Sequence, residues 1–264
     1  SPLESISPAP RIHVGKPRIV KYQPVPFRRC PKCGAGWGAM KGPEVVVAEE
    51  GEVFDIELEE DILRRNGELA RENRRILDGH GVRGIDVMGA VGSGKTALIE
   101  ALAERLRGRL RIAVIAGDVT TTIDAERVRR HGVQSVQVNT GRECHLDANL
   151  IRMALGRLDL GRVDVLFIEN VGNLICPAEF ELGAHARVVV VSVTEGEYMV
   201  VKHPLIFQSS NVAVINKIDL AEAMGVDPDR LAREAREVNP RLRAVKASMK
   251  TGEGLEEIIG ALGL

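Results

Sequence analysis

The sequence predicts an α/β protein with a doubly wound, mainly parallel sheet of about seven strands. From Gly84 onward, aliphatic runs at 85–88, 112–116, 135–138, 163–168, 188–193, 212–215 and 242–246 alternate with helical patterns, including amphipathic stretches at 95–107, 145–158, 228–238 and 254–262. Strands buried on both faces of a parallel sheet read as near-continuous hydrophobic runs, and crossover helices separate them. A glycine-rich turn, Gly89–Thr96, joins the first run to the first of these helices. Aromatic residues are only 3% of the chain, so the core is aliphatic and base-stacking surfaces for nucleic acid are disfavoured.

Ahead of this region the composition changes. Residues 1–43 carry eight prolines, eight Lys/Arg and one acid, too little apolar content to bury a core. Residues 1–54 therefore read as an irregular, basic extension holding the knuckle Cys30-Pro-Lys-Cys33-Gly, and residues 55–264 as the main domain. The main domain opens with a helix over 57–79, where Leu58, Ile62, Leu69, Ile76 and Leu77 form a loose apolar stripe that could pack on the domain or on a second copy. A net charge of -1 makes no electrostatic case for nucleic acid or an acidic membrane. The longest apolar runs are too short to span a bilayer, and four cysteines in a chain of 264 residues are not a secreted disulfide framework. The expectation is a cytoplasmic protein.

Gly89-Ala-Val-Gly-Ser-Gly-Lys-Thr96 fits the G-x-x-x-x-G-K-S/T phosphate loop without a mismatch. Its glycines let backbone N–H groups converge on phosphate oxygens, and the following helix N-terminus adds its positive end. Gly92, Ser93, Gly94, Lys95, Thr96 and Ala97 are the expected cradle of a P-loop NTPase fold. Lys95 would bridge the β- and γ-phosphates, and Thr96 would offer its hydroxyl to Mg²⁺. Asn216-Lys217-Ile218-Asp219 follows a strand on the side where ligands of such sheets bind. A carboxylate at Asp219 can accept from N1–H and the exocyclic amine of guanine, a donor pair that adenine lacks, so the expected ligands are GTP and GDP. Ser248, Met249 and Lys250 follow the next strand, where a loop can close over the base.

Asp118 ends the second run, and Asp118 and Asp124 are candidate partners of Mg²⁺ or its waters. Asp124 fits a helix N-cap equally well. Glu169-Asn-Val-Gly172 reads as a switch in which the Gly172 N–H can meet a γ-phosphate. Lys95, Asp118 and Glu169 form the candidate catalytic set. Asn173 follows the switch glycine where many GTPases carry a glutamine, and no arginine finger stands nearby. Slow intrinsic hydrolysis, stimulated by dimerisation or a partner, is the expectation.

Cys144 and His145 are adjacent, and Cys176 lies four residues beyond Gly172. Such a set suits Zn²⁺ or Ni²⁺ far better than Mg²⁺, although a free cysteine can equally be a small buried hydrophobe. Three ligands leave an open position, which suits transfer of a metal better than structural retention.

At these residues the chain resembles the HypB family, SIMIBI-class P-loop GTPases that help insert nickel into nickel–iron hydrogenase. The resemblance rests on Gly89–Thr96, 116–119, 139–148, 168–178, 194–196 and 216–219, and runs from about residue 55 to the end. It implies a GTP-dependent homodimer with a metal site at the subunit interface, where Cys144, His145 and Cys176 fall on positions that bind Zn²⁺ or Ni²⁺. It also implies a HypA-type metallochaperone and the hydrogenase large-subunit precursor as partners. Ala90 stands where the wider class often carries a lysine, as in the nickel-handling branch. The N-terminus departs from the family: Cys30-Pro-Lys-Cys33-Gly with 45–47 and 51–58 resembles the second half of a HypA zinc ribbon. One knuckle supplies two of the four thiolates structural zinc wants, so it binds with help from elsewhere or holds nothing. The urease accessory GTPase UreG is the nearest competing family, but it uses Cys-Pro-His where this chain has Cys176-Pro177-Ala178. A metal-storage protein with an idle phosphate loop and a small-molecule kinase compete from further off.

Overall fold

The structure, a computed structural model, describes residues 53–118, 133–140 and 144–264, together with the strands Ile19–Val20 and Val45–Val46. The chain divides into two compact units, Ser1–Asp61 and Ile62–Leu264. In the first, β1 (Ile19–Val20) and β2 (Val45–Val46) pair antiparallel. Helix α1 runs Val53–Gly79, beginning four residues before the sequence pattern suggested.

The second unit follows the predicted alternation. Its strands are β3 (Arg83–Gly89), β4 (Ile112–Asp118), β5 (Gln134–Asn139), β6 (Val165–Glu169), β7 (Ala186–Ser192), β8 (Val212–Asn216) and β9 (Arg243–Lys246). Between them lie α2 (Lys95–Leu106), α3 (Ala148–Leu155), α4 (Cys176–Glu179), α5 (Met199–Lys202), α6 (Pro204–Gln208), α7 (Ala221–Met224) and α8 (Pro228–Val238), and α9 (Leu255–Leu262) closes the chain. The seven strands form one sheet in the order β5-β4-β6-β3-β7-β8-β9, and every neighbouring pair is parallel. Each aliphatic run became a strand, because a parallel strand covered on both faces needs apolar side chains on both.

The two faces have separate cores. Ile85, Val87, Val188 and Val190 pack with Leu98 and Leu102 of α2 and Ile258 of α9 on one side. Met88, Val189 and Val191 pack with Phe207 of α6 and Leu231 of α8 on the other, where Leu77 of α1 and Ile151 of α3 also pack against β4 and β6. Two asparagines fasten α1 to the rest of the unit. Asn66 accepts from the Ala148 N–H and donates to the Glu181 carbonyl, both at 2.8 Å, and buried Asn73 donates to the carbonyls of Ala148 and Leu182. This end of α1 therefore packs on its own domain. Helix α3 starts at Ala148, with Asp147 as its N-cap accepting from the Leu150 N–H at 2.7 Å, so Cys144 and His145 precede the helix. Among the described residues no helix is long and apolar enough to cross a membrane.

Strand order decides where a ligand can sit. The chain leaves β3 toward β4 on one side, returns through β6, and crosses to β7 on the other. Such a reversal opens a crevice beyond the carboxyl end of the central strand.

Candidate nucleotide and metal site

The phosphate loop occupies that crevice. It lines a cavity of about 400 Å³ with Val91, Gly92, Gly94, Lys95 and Thr96, faced by Glu169 and Gly172 from the end of β6. Lys95 opens α2, and its Nζ donates to the carbonyl oxygens of Gly89 and Ala90 at 3.2 and 3.1 Å. The Thr96 hydroxyl donates to Glu169 Oε1 at 2.6 Å, so two oxygen donors of the kind Mg²⁺ prefers sit together at the cavity wall. A polyphosphate fits a site with a helix N-terminus, a lysine and a glycine-rich backbone. Ala97 also lines the cavity.

The Asn216–Asp219 segment divides its labour. Asn216 Nδ2 donates to the Ser93 carbonyl at 2.9 Å, and its Oδ1 accepts from the Met249 N–H at 3.4 Å. Gly94, at φ 106°, has to be glycine here because a Cβ would overlap the Asn216 amide. Lys217 is the one non-glycine with positive φ among the described residues (φ 61°), and its Nζ donates to the Gly92 carbonyl at 2.7 Å. Strain of this kind is held where surrounding contacts require it. Asn216 and Lys217 thus brace the phosphate loop. Asp219 is exposed, with Oδ1 accepting from the Ser248 hydroxyl at 2.7 Å. Lys250 follows in the same turn.

The structure brings Cys144, His145 and Cys176 together. The two sulfurs are 3.1 Å apart, Cys144 Sγ is 3.9 Å from His145 Nδ1, and one ligand atom from each residue falls within a 4.8 Å cluster. Cys144 is exposed and Cys176 is partly buried at the first residue of α4. The His145 ring lies 3.9 Å from that of Phe180. Leu146, fully buried, anchors the loop next to His145. The neighbouring Cys144 thiol, aided by burial, raises the pKa of Cys176, and Asn173 opposes the shift with a hydrogen bond. Two thiols and an imidazole at this spacing are a soft donor set that one Ni²⁺ or Zn²⁺ can share.

The side chain of Asp118, and the whole of Asp124, Cys30 and Cys33, lie outside the described residues. Four further residues were not singled out from the sequence. Glu195 accepts from the Ser192 N–H at 2.8 Å, and burial raises its pKa while Lys217 and Lys95 pull it back. Buried Asp86 and Asn170 and partly buried Arg187 form a polar group behind the cysteines. The available signal was a charge interrupting an aliphatic run, as in Gly84-Ile-Asp-Val-Met88.

The family model for the CobW/HypB/UreG nucleotide-binding domain matches residues 84–246. A probable hydrogenase maturation factor HypB of Methanocaldococcus jannaschii is 50% identical over 204 residues, covering 77% of this chain and 92% of that protein. The crystal structure of hydrogenase maturation factor HypB from Archaeoglobus fulgidus superposes with a TM-score of 0.72 at 46% identity, over 76% of this chain and 98% of that one. A HypB structure from Helicobacter pylori in complex with nickel gives a TM-score of 0.72 at 33% identity, over 75% and 93% of the two chains. The chain belongs to the CobW/HypB/UreG family and, within it, to the HypB hydrogenase maturation factors.

Proposed function

We propose that this protein is a GTP-hydrolysing metallochaperone that binds nickel at Cys144, His145 and Cys176 and delivers it for hydrogenase maturation. The observation that carries the reading is an isolated antiparallel bridge between Gly89 and Asn173. It joins the first residue of the phosphate loop to the turn that bears Cys176. A change at the γ-phosphate is therefore felt three residues from a metal ligand. The nickel-bound Helicobacter pylori relative supports nickel as the cargo.

In hydrolysis, water attacks the γ-phosphorus of GTP, the bond to the β-phosphate oxygen breaks, and GDP and phosphate leave. Lys95 exchanges its carbonyl partners for phosphate oxygens and stabilises the charge that develops on the leaving oxygen. The Gly172 N–H meets the γ-phosphate and loses that contact on hydrolysis. Thr96 and Glu169 would hold Mg²⁺, with Asp118 and Asp124 as the further candidates from the sequence, and the ion would neutralise phosphate charge when bound. Asp219 selects guanine, with Ser248, Met249 and Lys250 closing the base pocket.

In this reading the GTP-bound chain is a homodimer that shares the metal site, and exposed Val91 in the phosphate loop and Ile175 beside Cys176 provide apolar surface for it. Its partners are a HypA-type metallochaperone and the hydrogenase large-subunit precursor, its setting is the cytoplasm, and residues 1–54 are an extension to the GTPase domain at 55–264. The test is Ni²⁺ and Zn²⁺ affinity of the wild type and Cys144→Ala/Cys176→Ala, each with GDP and with a non-hydrolysable GTP analogue. A shift of about tenfold between nucleotides, roughly 1.4 kcal/mol of coupling, lost in the double variant, is the expected result. Equal affinity in both states would leave a storage or structural site beside an uncoupled GTPase.

A further inference from the structure

The loops that carry the two thiols come from different strands, yet both are tied to one carboxylate. Asp86 lies on β3, three residues before the phosphate loop begins, and its side chain is 1% exposed. Its Oδ2 receives Arg187 Nε at 3.4 Å, from the paired position on β7. Its Oδ1 receives Asn170 Nδ2 at 3.2 Å, from the residue after β6.

Each partner then reaches a metal-site loop. Arg187 spreads its guanidinium over the carbonyl oxygens of Pro177 and Ala178, the two residues after Cys176. Asn170 Oδ1 accepts from the Leu146 N–H at 3.1 Å, next to His145, and from the Val171 N–H at 3.0 Å. Arg74 lines the adjacent cavity of about 260 Å³, but it is engaged with the carbonyls of Gly183 and Ala184 and does not replace Arg187.

A charged pair this buried is a weak way to gain stability, since apolar residues of similar volume often do as well or better. Its geometry offers something apolar residues lack. A planar guanidinium can fix two consecutive carbonyls and a carboxylate at once, and an amide can accept and donate in opposite directions. We infer that Asp86, Arg187 and Asn170 are positioning residues that set the separation of Cys144 and Cys176 and so tune their affinity for nickel. This rests on reading the cluster as a metal site. The network acts through backbone held behind the ligands and bonds to none of the three ligand side chains, while Asn170 also borders the nucleotide cavity.

Outer residues that orient metal ligands typically change affinity by about 10–100-fold when removed. The test uses the full chain and Ni²⁺ alone, comparing wild type, Cys144→Ala, Asp86→Asn, Arg187→Lys and Asn170→Ser. The readouts are the dissociation constant, the sulfur-to-nickel charge-transfer absorption, and thermal unfolding without metal. Asp86→Asn and Asn170→Ser should each weaken Ni²⁺ binding by about 10–100-fold and displace the absorption band. Arg187→Lys, which keeps the charge but not the fork, should fail to preserve either property. Asn170→Ser spares the Asp86–Arg187 pair, so it decides the matter if Asp86→Asn does not fold. Wild-type affinity and band in folded Asn170→Ser and Arg187→Lys would overturn the inference while leaving the metal site standing. A wild type with no sulfur–nickel band, or one unaffected by Cys144→Ala, would remove the metal site and the inference with it.

Discussion

Gly89 and Asn173 pair as an isolated antiparallel bridge, so the residue that ends the central strand also holds the turn leading to Cys176. Asn173 tightens that turn further, its Oδ1 accepting from the Ile175 N–H at 2.8 Å. The phosphate loop and the thiol-bearing turn are therefore hydrogen-bonded neighbours, and several consequences can be measured.

Gly172 packs directly against the phosphate loop. A Cβ there would overlap the Val91 side chain and lie 3.0 Å from the Val91 nitrogen. Gly172→Ala should weaken GTP-analogue binding by about tenfold and abolish the nucleotide dependence of nickel affinity, roughly 1.4 kcal/mol of coupling. Calorimetric titration with both ligands checks this; intact coupling would mean the signal travels by another route.

Lys95→Ala removes the one side-chain cation of the phosphate loop itself. Single-turnover hydrolysis should fall by at least about 100-fold, the usual cost of losing a group aimed at developing charge. The fold should persist, because the lysine lines an open cavity that water can fill and its bonds to the Gly89 and Ala90 carbonyls are replaceable by water. Turnover close to wild type would assign the phosphate contact to Lys217 or another cation.

Asp219→Asn replaces an acceptor with a mixed donor and acceptor opposite the guanine N1–H and amine. GTP affinity should fall by about 1–3 kcal/mol, the cost of an unmatched polar group. Xanthosine triphosphate carries a carbonyl in place of the amine and should gain relative affinity. Competition binding reads the ratio, and an unchanged preference would take base recognition away from Asp219.

Far from the site, Asp164 accepts from the Arg111 side chain and backbone, which lowers its pKa from the ordinary 3.8 to about 2. A depressed carboxylate contributes stability above its unfolded pKa and loses it as pH falls through the folded value. Asp164→Asn should flatten the pH dependence of thermal unfolding between pH 4 and 2 and leave it unchanged above pH 5. Arg111 and Asp164 are partly exposed, so the effect should shrink in high salt. Identical pH profiles for the two proteins would show the pair to be without weight.

Much of this molecule was legible in the chain because its signals are local. Each aliphatic run from 85–88 to 242–246 became a strand of the sheet, since burial on both faces demands the same residue type along each run. The leading helix and the phosphate loop could be read for the same reason: period, glycine and lysine are properties of adjacent residues. The adjacency of Cys144 and His145 was visible in the same way. Other assignments needed more than local pattern. Asn216 and Lys217 read only as members of a nucleotide-binding segment with Asp219; that their side chains donate to the Ser93 and Gly92 carbonyls is a tertiary fact.

What the tertiary structure alone decided was which strand ends meet. Cys144 follows β5 and Cys176 follows β6, 32 positions apart in the chain, and their sulfurs lie 3.1 Å from one another. Asp86 and Arg187 are separated by 101 positions and face each other only because β3 and β7 pair in that register. Sequence pattern fixes which segments are buried and in what local form, because that depends on each residue's own contact with water. The distances between those segments depend on the order in which crossovers lay the strands side by side, and no stretch of adjacent residues encodes that order.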